Sequence, residues 1–318
     1  KIGLLGGGSK EILDITVSTY DSAVIHSERI GNKFALLIVD ECHHLSGEVY
    51  QQLARHSIAP FRLGLTATPP DDEMAKTTIE ELLGKICYRV EIDQLQGKNL
   101  ADYQVQTIEV ELDEEEMLSY QKNREIYINF LRSEQIQMSS RNGWQNFIRI
   151  SSYHPQGRIA FEAYMKQRKI ARGSKSKINM VWQLLQYHQN DRILIFTADN
   201  ATAYEIGESF LLPVLTHHSK VAERREVLEA FRNGSYPILV TSRVLNEGVD
   251  VPEANVGIIV SGSGSVREHV QRLGRILRPA PNKEAILYEL ISAGTNEKYT
   301  SERRRQHRAY QNTTALSD

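Results

Sequence analysis

Two adjacent acids close an apolar run in LLIVDECHH (36–44), and they are the residues of this chain best placed to do chemistry. Four apolar residues put Asp40 at the carboxyl end of a buried strand, where open α/β sheets bind their ligands. A carboxylate there can hold Mg²⁺ through water, because Mg²⁺ keeps much of its hydration shell. Glu41 follows at once and projects differently, so it can orient an attacking water. A metal holder beside a water-positioning group is the division of labour that phosphoryl transfer requires. Taken alone, the pattern also fits a strand that ends in a polar turn.

Three further patterns extend that chemistry. Thr66-Ala67-Thr68 ends the next apolar run, where small hydroxyl residues can link a nucleotide site to its neighbour or simply cap the strand. In TSRVLNEGVD (241–250), Gly248 permits close backbone approach, and Asp250 can accept from a ribose hydroxyl or join the acids around the phosphates. A turn explains Gly248 equally well. In QRLGRILRP (271–279), Gln271, Arg275 and Arg278 fall at i, i+4 and i+7, on one helix face. Planar guanidinium forks suit phosphate oxygens. No acid lies between Glu268 and Glu284, which weakens the alternative of an ion-pair face. If these arginines and the Asp40-Glu41 pair stand on different lobes, hydrolysis requires closure, and nucleotide state becomes lobe position.

Those residues need a scaffold. ITVST (15–19), FALLIVD (34–40) and RLGLTAT (62–68) read as strands, with helical spacing in 47–57 and 72–84. Apolar runs alternating with helices predict a parallel sheet covered on both faces. From Asp113 to Arg172 the pattern is helical, with breaks near Asn142-Gly143 and His154-Pro155. The strand rhythm returns in RILIFT (192–197), YPILVT (236–241), VGIIVS (256–261) and AILYELI (285–291). The expectation is α/β: one parallel-sheet lobe over 1–112, a small helical insertion over 113–172 and a second lobe over 173–318.

Bulk properties narrow the class without deciding it. The chain has 318 residues with 38 basic and 40 acidic side chains, net −2, so overall charge gives no support for nucleic-acid binding. Any such contact must come from local patches. Lys166 to Lys177 holds six basic residues and no acid, and Arg303 to Arg308 holds four arginines; a solvated face and a trailing tail explain them equally well. Two cysteines, Cys42 and Cys87, form no C-x-x-C pair and suit a reducing compartment. Cys42-His43-His44 is a poor metal cluster, because adjacent residues rarely converge on one ion. No apolar run approaches the roughly 20 residues that span a bilayer. The chain opens on Lys1 with no leader-like segment, so it reads as cytoplasmic or as a piece of something longer.

The motifs together resemble a family. DECH, TAT, a Gly-Val-Asp element and QRLGRILR, in this order, are similar to motifs II, III, V and VI of superfamily-2 helicases. VSTYDSA (17–23), SIAPFRLGLTAT (57–68), NEGVDVPEANVGIIVSGSGSVREHVQRLGRILRP (246–279) and LYELISAGT (287–295) resemble the prokaryotic branch of XPB-type helicases. The likeness covers nearly the whole chain and is weakest in the helical insertion.

The resemblance implies two RecA-like lobes, the first incomplete, with the insertion as a thumb-like element that grips DNA. It implies ATP-driven 3′ to 5′ unwinding or translocation on DNA in repair, with ATP and Mg²⁺, by a monomeric motor, and in prokaryotes with a nuclease partner. Carried over by position, Asp40 and Glu41 match motif II, with Asp40 on Mg²⁺. Thr66 and Thr68 match the coupling motif, Gly248 and Asp250 the nucleotide-facing motif, and Gln271, Arg275 and Arg278 motif VI. Thr19, Thr197 and Thr241 fall where such helicases touch the nucleic-acid backbone.

Two departures qualify it. No G-x-x-x-x-G-K-[ST] occurs; GLLGGGSK (3–10) has glycines, but Ser9 intrudes before Lys10 and no Ser or Thr follows. The chain is therefore expected to be a truncated motor that cannot hydrolyse ATP by itself. XPB-type proteins also carry an Arg-Glu-Asp triplet after motif III; Pro69-Pro70-Asp71-Asp72-Glu73 keeps acids without the Arg. The alternatives are a nucleic-acid-binding module without ATPase activity, or the motor subunit of a restriction-type nuclease. No nuclease acid-Lys constellation is present for the latter.

Overall fold

Runs of β-branched and leucine residues separated by amphipathic helices fold, in the computed structural model, into two units, Lys1–Val90 and Glu91–Asp318. The structure describes residues 1–67, 69–70, 72–90, 102–140, 142–242, 254–261 and 284–298.

In the first unit, β1 (Gly3–Gly6) and β2 (Ser9–Lys10) form an antiparallel hairpin. Its turn residues Gly7 and Gly8 have φ of 58° and 93°, a geometry glycine adopts freely. The glycines of GLLGGGSK thus serve a tight turn. Strand β3 (Thr16–Ser18) pairs parallel with β1, and Thr19 then caps α1 (Tyr20–Ile30) by accepting from the Ser22 amide. The motif strand β4 (Leu36–Asp40) pairs parallel with β5 (Phe61–Leu65). Helices α2 (Glu48–Arg55) and α3 (Glu73–Leu83) complete the unit, α3 capped by Asp72.

The sheet β4–β5 is buried on one side, where Val39 packs with Leu45, Leu53, Ala54 and Leu82. Gly64 makes this close approach possible: a Cβ there would meet a Leu83 methyl at 2.6 Å and Cys42 Sγ at 3.0 Å. The other face is a departure from the expected two-sided burial. Leu36 and Ile38 on β4 are about half exposed, and Leu63 and Leu65 on β5 nearly so.

The second unit has a six-stranded, all-parallel sheet in the order β6-β11-β10-β7-β9-β8. Its strands are β6 (Asp102–Val110), β7 (Ile193–Phe196), β8 (Val214–Leu215), β9 (Ile238–Thr241), β10 (Val256–Ile259) and β11 (Glu284–Ser292). Residues 193 to 196 are fully buried: Leu194 and Phe196 enter one core cluster, Ile193 and Ile195 the cluster on the opposite face. A continuous apolar run is what such two-sided cover demands.

Strand β6 corrects the expected lobe boundary. Residues to 112 were assigned to the first lobe, yet β6 runs in register along β11 from Asp102↔Glu284 to Val110↔Ser292. Val105 faces one core and Ile108 with Val110 the other, so the strand belongs to the second sheet.

Between β6 and β7 lie α4 (Glu114–Ser133), α5 (Gly143–Tyr153), α6 (Gly157–Arg172) and α7 (Lys175–Tyr187). The first three share an aromatic core in which Tyr127 and Phe130 meet Phe147 at ring separations of 5.4 and 6.3 Å. Helices α8 (Asn200–Phe210) and α9 (Val221–Arg232) flank the later strands. Among the described residues, no helix is long and apolar enough to cross a membrane.

Candidate active site

Strand β4 delivers Asp40 to its carboxyl end, where it is exposed, and the chain then turns sharply. Glu41 takes the left-handed conformation, φ 49° and ψ 47°, before a 3-10 turn over Cys42–Ser46. Its amide donates to Asp40 Oδ1 at 3.0 Å. That leaves the other Asp40 oxygen for a hydrated cation, so the site fits the carboxylate role expected for Mg²⁺.

His43 is buried behind this turn. Its Nδ1 lies 2.9 Å from Thr66 Oγ1 and 3.4 Å from Glu41 Oε2. A bare lone pair facing a carboxylate is repulsive, so the geometry favours the tautomer with the proton on Nδ1. His43 then lies between the glutamate that follows β4 and the threonine that follows β5. The Cys42 thiol points into the core; burial, opposed by a backbone hydrogen bond and reinforced by the charges of Glu41 and Asp40, raises its pKa. It is a packing residue.

A second tie comes from α1. The Tyr20 hydroxyl donates to the carbonyl oxygen of Asp40 at 2.7 Å and also lies 3.2 Å from that of Glu41. His44 and Tyr50 meet the Tyr20 ring edge-on at 5.6 and 5.1 Å. Tyr20 was not singled out by residue type and spacing, and His43 entered only as part of a poor metal cluster. The acid run marked Asp40 and Glu41, but both new contacts join residues about twenty apart in the chain.

The other expected residues divide by position. Thr19 is exposed at the start of α1. Thr197 and Thr241 do come together, with the Thr197 amide donating to the Thr241 carbonyl at 2.9 Å. Both are fully buried, however, and their hydroxyls donate to the carbonyls of Asp199 and Ser242. They shape the strand ends and present no hydroxyl to solvent. Thr68, Gly248, Asp250, Gln271, Arg275 and Arg278 lie outside the described residues, as does the 303–308 arginine run.

The basic run 166–177 is less uniform than its sequence. Lys166, Lys169 and Lys175 are exposed. Arg168 stacks over Tyr164 at 5.2 Å. Burial, with help from Arg168, lowers the Arg172 pKa. Lys177 is fully buried, paired with Glu297 and donating to the Val260 carbonyl at 2.8 Å.

Comparison with known proteins gives these sites a family. Residues 158–314 match the ERCC3/RAD25/XPB C-terminal helicase model, and residues 2–71 match the type III restriction enzyme res subunit model. Over 304 residues the chain is 40% identical to the "DNA 3'-5' translocase XPB2" of Sulfurisphaera tokodaii, covering 96% of this chain and 69% of that protein. The chain belongs to the XPB family.

Other XPB relatives are more distant. The "DNA 3'-5' helicase XPB" of Mycobacterium tuberculosis is 27% identical over 317 residues, and this chain spans 50% of its length. Among solved structures, the Pyrococcus furiosus Hef helicase domain matches with a TM-score of 0.51 at 18% identity, over 91% of this chain and 78% of that one. Saccharomyces cerevisiae Dbp5 bound to RNA and ADP BeF3 matches with a TM-score of 0.62 at 12% identity, over 98% of this chain and 69% of that one. At such identities the likeness speaks for the fold alone, the RecA-like α/β fold of helicases. The restriction-type match is confined to the first unit, whereas XPB likeness runs through both.

Proposed function

We propose that the complete protein is an ATP-driven motor that moves 3′ to 5′ on DNA and opens duplexes during repair. The observation that carries this reading is the Glu41–His43–Thr66 bridge beside Asp40, in a chain 40% identical to a named DNA translocase. Bound ATP and Mg²⁺ supply the phosphoryl group and the charge that neutralises it. Asp40 would hold the cation through water, and Glu41 would orient the attacking water. By motif resemblance, Gly248 and Asp250 would serve the nucleotide, and Gln271, Arg275 and Arg278 would serve its phosphate oxygens. Thr66 and Thr68 pass the state of the acids to the rest of the first lobe.

On the nucleic-acid side, Thr19 meets the DNA backbone, and Thr197 and Thr241 hold the shape of the second sheet's edge. The helical stretch 113–172 grips DNA with its exposed lysines. The motor acts as a monomer beside a nuclease; co-elution of the two from native cells tests that association, and a motor that always elutes without one contradicts it.

Strand displacement tests the activity. The complete protein, with ATP and Mg²⁺, is expected to displace a strand from a duplex with a 3′ single-stranded tail and not from its 5′-tailed counterpart. Displacement without ATP, or only from the 5′-tailed duplex, contradicts the proposal.

A further inference from the structure

We propose that Tyr20 is a positioning residue that ties the DNA-facing start of α1 to the backbone of the catalytic acids. The inference rests on the motor reading above and adds to it a physical link between its two ligand sites.

A non-glycine residue in the left-handed region is strained and persists only where its surroundings impose it. Glu41 is such a residue. Its own amide is taken by Asp40 Oδ1, and its carbonyl accepts from the His44 amide at 3.0 Å. The carbonyl before it and its own carbonyl also face one phenolic hydroxyl, that of Tyr20. A single side chain from another element therefore addresses the backbone on both sides of Glu41.

Tyr20 is the first residue of α1 and adjoins the exposed cap Thr19. The ring is braced by edge-on contacts with the rings of His44 and Tyr50. A shift at the start of α1, as DNA meets Thr19, must move the Tyr20 hydroxyl and with it the turn that aims Glu41. DNA binding is thereby converted into the orientation of the water-positioning carboxylate.

Tyr20→Phe deletes one oxygen and keeps the ring contacts; Tyr50→Phe makes the same change on the neighbouring tyrosine. Both are assayed in the complete protein for ATP turnover with saturating DNA, KM for ATP, Kd for DNA, and Tm. Tyr20→Phe is expected to lower DNA-stimulated kcat by about tenfold or more, with KM, Kd and Tm essentially unchanged. Tyr50→Phe is expected to keep kcat within about twofold, a change worth less than half a kcal/mol. Wild-type kcat in Tyr20→Phe overturns the inference. So does a fall in kcat that Tyr50→Phe reproduces or that tracks a lowered Tm, because that marks a structural brace. A wild-type protein whose hydrolysis ignores DNA overturns the motor reading and this inference together; a DNA-stimulated wild type with an unaffected Tyr20→Phe overturns the inference alone.

Discussion

At the scale of single residues, the place of Asp40 and Glu41 at a strand's end was legible because an uninterrupted apolar run stops there. The place of Thr66 just past the next strand was legible for the same reason. His43 was read only as a weak metal ligand, since nothing in its spacing reveals a partner twenty-three residues later. The 2.9 and 3.4 Å contacts make it the bridge between Glu41 and Thr66. His43→Ala and Thr66→Val should then each lower DNA-stimulated turnover of the complete protein by about tenfold or more, roughly 1.4 kcal/mol of barrier. Because both remove one bridge, the double variant should fall little further. Independent, additive losses would show that the two residues act separately. The buried hydroxyls of Thr197 and Thr241 carry the opposite lesson: residue type suggested contact with nucleic acid, whereas burial was a property of the sheet around them.

At the scale of elements, the central strands were readable because β7 and its neighbours are apolar without interruption, as burial on both faces requires. Strand β6 was not, because it is an edge strand that alternates with Gln104, Gln106 and Glu109, and its sheet is set by a partner some 180 residues away. The helices of 114–172 were visible in their apolar stripe, but nothing in the basic run that ends them separates its exposed lysines from the buried Lys177. Lys177 lies in the first turn of α7 and pairs with Glu297. Removing one partner of a buried pair typically costs about 3–5 kcal/mol, because the other charge remains. Lys177→Met should destabilise the second unit by that order in urea unfolding, and Lys177→Met with Glu297→Leu should recover much of it. A single variant within about 1 kcal/mol of wild type would mean that the pair is solvated rather than buried.

At the scale of the whole molecule, the expected machinery is divided between the units, with Asp40, Glu41 and Thr66 in the first and the arginines of motif VI in the second. In the proposed motor, turnover depends on residues of both units. An arginine that stabilises the transferring phosphoryl group is worth about 10³–10⁵ in rate in such enzymes. The measurement that tests this account most directly is steady-state ATP hydrolysis by the complete protein, with and without DNA, in wild type, Glu41→Gln and Arg278→Ala. Wild type should be stimulated by DNA. Both variants should still bind ATP and DNA while turnover falls by about 10³ or more. Either variant hydrolysing ATP at the wild-type rate would contradict it.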